Sequence, residues 1–264
     1  MPSSPLPKIS IITPSYNQAQ FIEATIRSVL DQAYPCLEYI IVDGGSTDGT
    51  LDILRRYEDR IAWTSGRDQG QANAVNIGLR RASGDVVAYL NSDDLYLPGA
   101  LLAVGRYFAR HPDAPCLTGQ CRSIDEHGKE IRGLITLYKL LWMVLHSYQA
   151  LLVLNYISQP ATFWKRSILD HIGYLDESLH YTMDYDYWLR MGQEYRFHYI
   201  YRHLACFRIH SSSKSGTTAH KQFDEEYVTA SKYSHSKWIL NAHLVHKSIA
   251  AGVYRQLLAK NLPN

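Results

Sequence analysis

Tyr39-Ile-Ile-Val-Asp-Gly-Gly-Ser-Thr-Asp48 is the stretch from which the fold is read. Four apolar residues run without interruption, an aspartate follows, and two glycines lead into hydroxyl-bearing residues. An uninterrupted apolar run is the pattern of a strand buried on both faces, as in a parallel sheet. The glycines permit a sharp turn and a close approach of the backbone to a ligand. Thr47 or Ser46 is placed to cap a helix running to about residue 57.

The alternation extends both ways. Upstream, Lys8-Ile-Ser-Ile-Ile-Thr13 reads as a buried strand and Pro14-Ser-Tyr-Asn17 as a turn. Phe21, Ile22, Thr25, Ile26, Val29 and Leu30 then recur at helical spacing. Downstream, 61–65 reads as a third strand and 70–82 as a helix ended by Gly84. Val86-Val-Ala-Tyr-Leu90 is a fourth strand ending in Asn91-Ser-Asp-Asp94; Pro98 opens a further helix, and 116–124 is another strand. This predicts an α/β fold: a Rossmann-like, mostly parallel sheet flanked by helices. Ligands in such sheets sit outside the carboxyl ends of the strands. The polar clusters after strands one, two and four should therefore share one crevice. Further on, 159–164 reads as a strand, 165–171 as a short helix, 184–194 as a helix and 197–209 as a strand. The expected organisation is one domain over 1–219 and a helical extension over 220–264 packed on it.

Composition bounds the function. The 264 residues are 46% hydrophobic and 20% charged, which excludes a disordered chain. A net charge of +2 without a basic run gives no footprint for nucleic acid. Tyrosines cluster between 138 and 201, where they suit either sugar binding or an amphipathic core edge. The four cysteines form no C-x-x-C pair and fit a reduced, cytoplasmic setting. Residues 1–8 lack the apolar core of a signal peptide. Residues 134–157 are strongly apolar but interrupted by Lys139, His146, Gln149 and Asn155. They read as a buried or lid helix, or as one lying at the inner face of a membrane beside an acceptor site.

Four places can carry chemistry. Asp93 and Asp94 are adjacent carboxylates at a strand end, costly unless a cation neutralises them. Magnesium or manganese prefers such oxygens and shares them with substrate phosphates. Asp94 is expected to ligate the metal and Asp93 to bond ribose hydroxyls; the plain alternative is a solvated turn. Asp43 can accept the N–H of a pyrimidine base, or serve turn chemistry. In Met183-Asp-Tyr-Asp-Tyr-Trp188, residues two apart diverge by roughly 200° on a helix, so one aspartate faces the crevice. Asp184 is a general-base candidate, or a helix cap. His210 ends a strand-like run and can complete a metal shell or contact phosphate; Lys214 and the serines around it can bind phosphate or form a plain loop.

Taken in order, Ile11-Ile-Thr-Pro-Ser-Tyr-Asn17, Ile41-Val-Asp-Gly-Gly-Ser-Thr-Asp-Gly49, Leu90-Asn-Ser-Asp-Asp94 and Asp184-Tyr-Asp-Tyr-Trp-Leu-Arg190 resemble the family 2 glycosyltransferases. The likeness spans roughly residues 8–215 and implies the GT-A fold and an inverting, metal-dependent hexosyl or N-acetylhexosaminyl transfer. It places Thr13, Pro14 and Tyr16 in the nucleoside pocket with Asp43 on the base. Arg67 and Asp68 fall near base or diphosphate, Asp93 and Asp94 match the acidic motif, Asp184 the base, and His210 the histidine near the metal. Two positions depart: Asn91 stands where the family often has aspartate, and Met183 where it often has glutamate. Gln159-Pro-Ala-Thr-Phe-Trp164 resembles the acceptor-side strand of bacterial enzymes that build surface polysaccharides.

The resemblance thus implies a nucleotide-sugar donor, uridine-based by default, and a glycan or lipid-linked acceptor. Two other readings stay open. A sugar nucleotidyltransferase would carry a glycine-rich, basic first loop, whereas Thr13-Pro-Ser-Tyr-Asn-Gln18 has neither. A catalytically degenerate scaffold would bind the nucleotide sugar without turning it over.

Overall fold

The computed structural model describes residues 5–131, 138, 142–143, 147–211, 213 and 219–260. The strands are β1 (Ile9–Ser15), β2 (Leu37–Asp43), β3 (Ala62–Ser65), β4 (Val86–Tyr89), β5 (Leu95–Tyr96), β6 (Cys116–Ile124), β7 (Glu130–Ile131), β8 (Thr162–Lys165) and β9 (His198–Arg208). The helices are α1 (Ile22–Leu30), α2 (Thr50–Arg55), α3 (Gln71–Arg81), α4 (Ala100–Arg110), α5 (Tyr148–Val153), α6 (Leu169–Ile172), α7 (Met183–Glu194), α8 (Ala219–Tyr233) and α9 (Lys237–Lys260).

The sheet runs β3-β2-β1-β4-β8-β6-β9-β5, with β7 beside β6. Its first four strands are parallel, as the continuous apolar runs require. Beyond β4 the sheet is mixed: β8 is antiparallel to both β4 and β6, while β6 and β9 are parallel. The parallel character read from the first half therefore does not extend across the sheet. Alternate residues of β1 and β2 feed two cores. Ile9, Ile11 and Ile41 join the apolar faces of α1 and α4, whereas Ile12, Ile40 and Val42 join α3, α5 and α7. Such two-sided burial is what selects β-branched residues here.

Two local expectations shift. Neither Ser46 nor Thr47 caps α2; Asp48 Oδ1 accepts from the Thr50 N–H and hydroxyl instead. Gln159–Ala161 forms a 3₁₀ turn, and the strand begins only at Thr162. The second half of the apolar segment 134–157 is core: Ala150, Leu151, Leu152, Leu154, Tyr156 and Ile157 are all buried. Residues 132–137, 139–141 and 144–146 of that region lie outside the described residues. Among the described residues no helix is long and apolar enough to cross a membrane. At the C-terminus, α8 packs on α7 and α9 on α5.

Candidate active site

A cavity of about 960 Å³ opens where the polypeptide leaves β1, β2 and β4. Because these strands are parallel, Pro14, Gly44 and Asp93 arrive at one edge of the sheet from different parts of the chain. Tyr16, Arg67, Asp68, Asp184 and His210 also stand on its wall. The crevice expected from the strand pattern is therefore present. Three of the expected residues are not on its surface: Thr13, Asp43 and Asp94.

Asp93 and Asp94 separate sharply. The Asp94 residue is fully buried, whereas the Asp93 side chain keeps 19% of its exposure. Asp94 Oδ1 accepts the backbone N–H of Arg208 at 2.9 Å, and Oδ2 accepts from Asn91 Nδ2 at 3.3 Å. Burial, reinforced by the neighbouring Asp93 charge, pushes the Asp94 carboxyl well above the usual carboxylate range. Asp94, expected as the metal ligand, thus ties β9 to the end of β4, and the cavity-facing carboxylate is Asp93. Its Oδ2 lies 3.1 Å from Nε2 of His210, whose ring packs on Phe21 with centroids 4.5 Å apart. The pairing of β5 with β9, Leu95 opposite Cys206, is what carries His210 to Asp93.

Asp93 and His210 offer an oxygen and an imidazole donor to the same space. That set suits a divalent ion whose remaining positions are taken by phosphate oxygens and water. Among the described residues no three His, Cys, Asp or Glu side chains converge into a closed metal cage.

Asp43 is only 1% exposed and is not among the residues lining the cavity. Its carboxylate accepts the N–H groups of Gly45 and Ser46 and the hydroxyls of Ser46 and Ser65. It shapes the loop after β2, in which Gly45 adopts a φ of 88°. Gly44 must also be small: a Cβ there would sit 2.7 Å from Asp68 Oδ2. Thr13 is fully buried and shares a hydrogen bond with the Tyr39 hydroxyl at 3.1 Å, so its side chain supports the wall from behind.

Of the two aspartates opening α7, Asp184 lines the cavity and Asp186 turns into the core, as the helical angle requires. Asp186 Oδ2 accepts from Arg190 Nε at 2.9 Å, and Oδ1 accepts from the Tyr233 hydroxyl at 2.6 Å. The turn entering α7 is latched by α8. Glu225 accepts the backbone N–H groups of His180 and Tyr181 at 3.0 and 2.6 Å, and the Thr182 and Thr229 hydroxyls meet at 3.0 Å. Helix α8 also contributes Gln222 to the cavity wall.

Several contacts of the site escape the sequence reading. Asn91 is an amide junction: Oδ1 accepts from Gln71 Nε2 at 2.7 Å, and Nδ2 faces Asp94 Oδ2 and Gln159 Oε1. Asn91 thus offers an amide donor to buried Asp94 at the position where the family often has aspartate. Gln159 also donates to the Tyr89 carbonyl. Arg208 anchors the arrangement, its guanidinium donating to the carbonyls of Asp93, Asp125 and Glu126. Its signal was an arginine inside an apolar strand, a position that demands partners. Lys214 lies outside the described residues.

Comparison with known proteins agrees with this architecture. Residues 10–173 match the model of the family described as Glycosyl transferase family 2. An uncharacterized glycosyltransferase of Rickettsia prowazekii is 28% identical over 84% of this chain and 69% of its own length. A putative teichuronic acid biosynthesis glycosyltransferase, TuaG of Bacillus subtilis, is 52% identical over 33% of this chain and 36% of its own. Among solved structures, S. aureus TarS 1–349 in complex with UDP-GlcNAc superposes with a TM-score of 0.68 at 18% identity, covering 90% of this chain and 71% of TarS 1–349. The mannosyltransferase PcManGT of Pyrobaculum calidifontis, in complex with GDP-Man and Mn2+, gives a TM-score of 0.67 at 20% identity, covering 97% and 79%. These two likenesses concern the GT-A fold.

Proposed function

The chain belongs to glycosyl transferase family 2, and from that premise we propose that it moves a sugar from a nucleoside-diphosphate sugar to an acceptor hydroxyl in one inverting displacement. The product is a surface polysaccharide or glycolipid. One observation carries this reading: Asp184 and the Asp93–His210 pair stand on the wall of a single cavity large enough for donor and acceptor together.

The nucleotide lies along Pro14, Tyr16, Gly44, Arg67 and Asp68, while Thr13 and Asp43 act through the backbone they hold. Asp93 and His210 would hold a magnesium or manganese ion, which would supply positive charge for the departing diphosphate. Asp184 takes the proton of the acceptor hydroxyl as that oxygen attacks the anomeric carbon. The anomeric bond to the diphosphate breaks, and its electron pair leaves with the diphosphate. The Asp184 carboxylate stays at the cavity because α7 begins there, and because α8 clamps the turn before it.

Support for the substrate class comes from the likeness to TuaG, a putative teichuronic acid biosynthesis glycosyltransferase. UDP-sugars and GDP-mannose are the donors to test first, since the TarS and PcManGT complexes hold them. The test is a thermal-shift panel of UDP, GDP, dTDP, ADP and CDP with and without manganese, followed by transfer assays with the matching sugar donors. A nucleotide that binds the folded state alone raises the melting temperature. A manganese-enhanced shift with one nucleotide, and turnover of its sugar conjugate, supports the proposal. Stabilisation by none of the five overturns it.

A further inference from the structure

Helix α9 presents an apolar face to solvent. Trp238, Val245 and Ile249 are 87%, 61% and 62% exposed. Their spacings of seven and eleven residues align them on one stripe, with the exposed Ala242 between them. The stripe is about 16 Å long at the helical rise. The opposite face of α9 is fixed. His243 is buried with Nδ1 2.8 Å from the Leu152 carbonyl, and Lys247 pairs with Asp224 at 2.6 Å. The Tyr138 ring stacks on His246, with centroids 6.0 Å apart. The rotation that exposes the stripe is therefore built into the packing. Of the exposed large hydrophobic side chains among the described residues, half belong to this helix: Trp238, Leu244, Val245 and Ile249.

Charge tells what covers this face. Residues 237–264 contain four of the 27 basic residues and none of the 25 acidic ones, so the remaining chain carries an acidic excess while this end is cationic. We infer that the outward face of α9 docks on an anionic lipid bilayer, with Trp238 seated at the headgroup level and the exposed Lys237 beside it paired with a lipid phosphate. Tryptophan prefers that interface, and acid-free basic segments are drawn to negative membrane surfaces. Self-association through the same stripe would bring two cationic, acid-free helices together without a compensating charge. The surface is distinct from the segment 134–157, whose described second half is core. Through α8, which lines the cavity with Gln222, docking would hold the site at a fixed attitude to the membrane surface.

The test is independent of the catalytic reading. The full chain is sedimented with equimolar phosphatidylglycerol and phosphatidylethanolamine vesicles, and with phosphatidylcholine vesicles. It is compared with the triple variant Trp238→Ser/Val245→Ser/Ile249→Ser and with Lys237→Glu. The expected result is binding to the anionic vesicles alone. The triple variant partitions about ten-fold or more weakly, and Lys237→Glu loses part of the affinity. All proteins should keep the same circular dichroism, and wild-type Trp fluorescence should shift to the blue with anionic vesicles. The inference is overturned by equal binding to both vesicle types, by absence of binding, or by retained binding in the folded triple variant. It is also overturned by a wild-type dimer that the triple variant converts to monomer.

Discussion

Nε2 of His210 lies 3.1 Å from Oδ2 of Asp93, although 117 residues separate the two in the chain. The contact depends on Arg208, whose backbone N–H bonds the neighbouring Asp94 and whose guanidinium bonds the Asp93 carbonyl. Strand β9 thus delivers the histidine, Asp94 fixes the delivery, and Asp93 uses it.

This division of labour is separable by mutation. Asp93→Ala removes a cavity-facing carboxylate whose side-chain contact is with His210. The apo melting temperature should hardly change, while the manganese-dependent part of the nucleotide shift disappears. Asp94→Ala leaves the Arg208 N–H buried without its acceptor, and should cost about 1–3 kcal/mol of stability in urea unfolding. If Asp94→Ala were as stable as wild type and Asp93→Ala kept the full manganese effect, the assignment of roles would be reversed.

The two aspartates of α7 give a parallel contrast. Asp184→Asn should retain nucleotide binding and lower transfer by about 10²–10⁴-fold, the usual worth of a positioned general base. Asp186→Asn weakens a buried charge pair and should cost about 3 kcal/mol in stability. Equilibrium unfolding and initial rates of product formation separate the cases. Transfer at the wild-type rate in Asp184→Asn would remove it as the base.

The crevice was legible because parallel strands buried on both faces write themselves as unbroken apolar runs. The residues that leave such strands can converge only at one edge. The choice between Asp93 and Asp94 was not legible. Adjacent residues at a strand end point to different sides, and which side is the cavity was decided by Arg208, 114 residues from Asp94. The surroundings of Asp43 were hidden for the same reason. Its carboxylate looked available in sequence, but Ser65 arrives from β3 and joins Ser46 in bonding it. Glu225 carried no motif at all, since one glutamate on an amphipathic helix resembles any solvated residue until α8 is laid against the turn before Asp184.

That latch carries its own expectation. Glu225→Ala frees the N–H groups of His180 and Tyr181 and loosens the entry to α7. A positioning role predicts about a ten-fold fall in kcat with the donor KM nearly unchanged, since small misplacements of a reacting group are costly. Glu225→Gln keeps an acceptor oxygen and should recover most of the rate. Equal loss in both variants, or a change confined to donor KM, would contradict positioning.

Glu38 links acid stability to the far end of the sheet. Burial alone would raise its carboxyl, but bonds from Lys8, Ser10 and both the N–H and hydroxyl of Ser83 outweigh it and hold the group at about 2, below its ordinary 4.5. The folded value is depressed, so the folded state favours the ionised form. Its stabilisation is complete above about pH 4.5, shrinks as pH falls toward 2, and is absent below that. Glu38→Gln should therefore be less stable than wild type at pH 7, by about 1 kcal/mol because the carboxylate is partly solvated. The gap should narrow steadily when urea unfolding is repeated from pH 5 down to pH 3.5. A gap that stays constant over that interval would show that the glutamine loses packing or geometry rather than charge, and would remove Glu38 from the acid response.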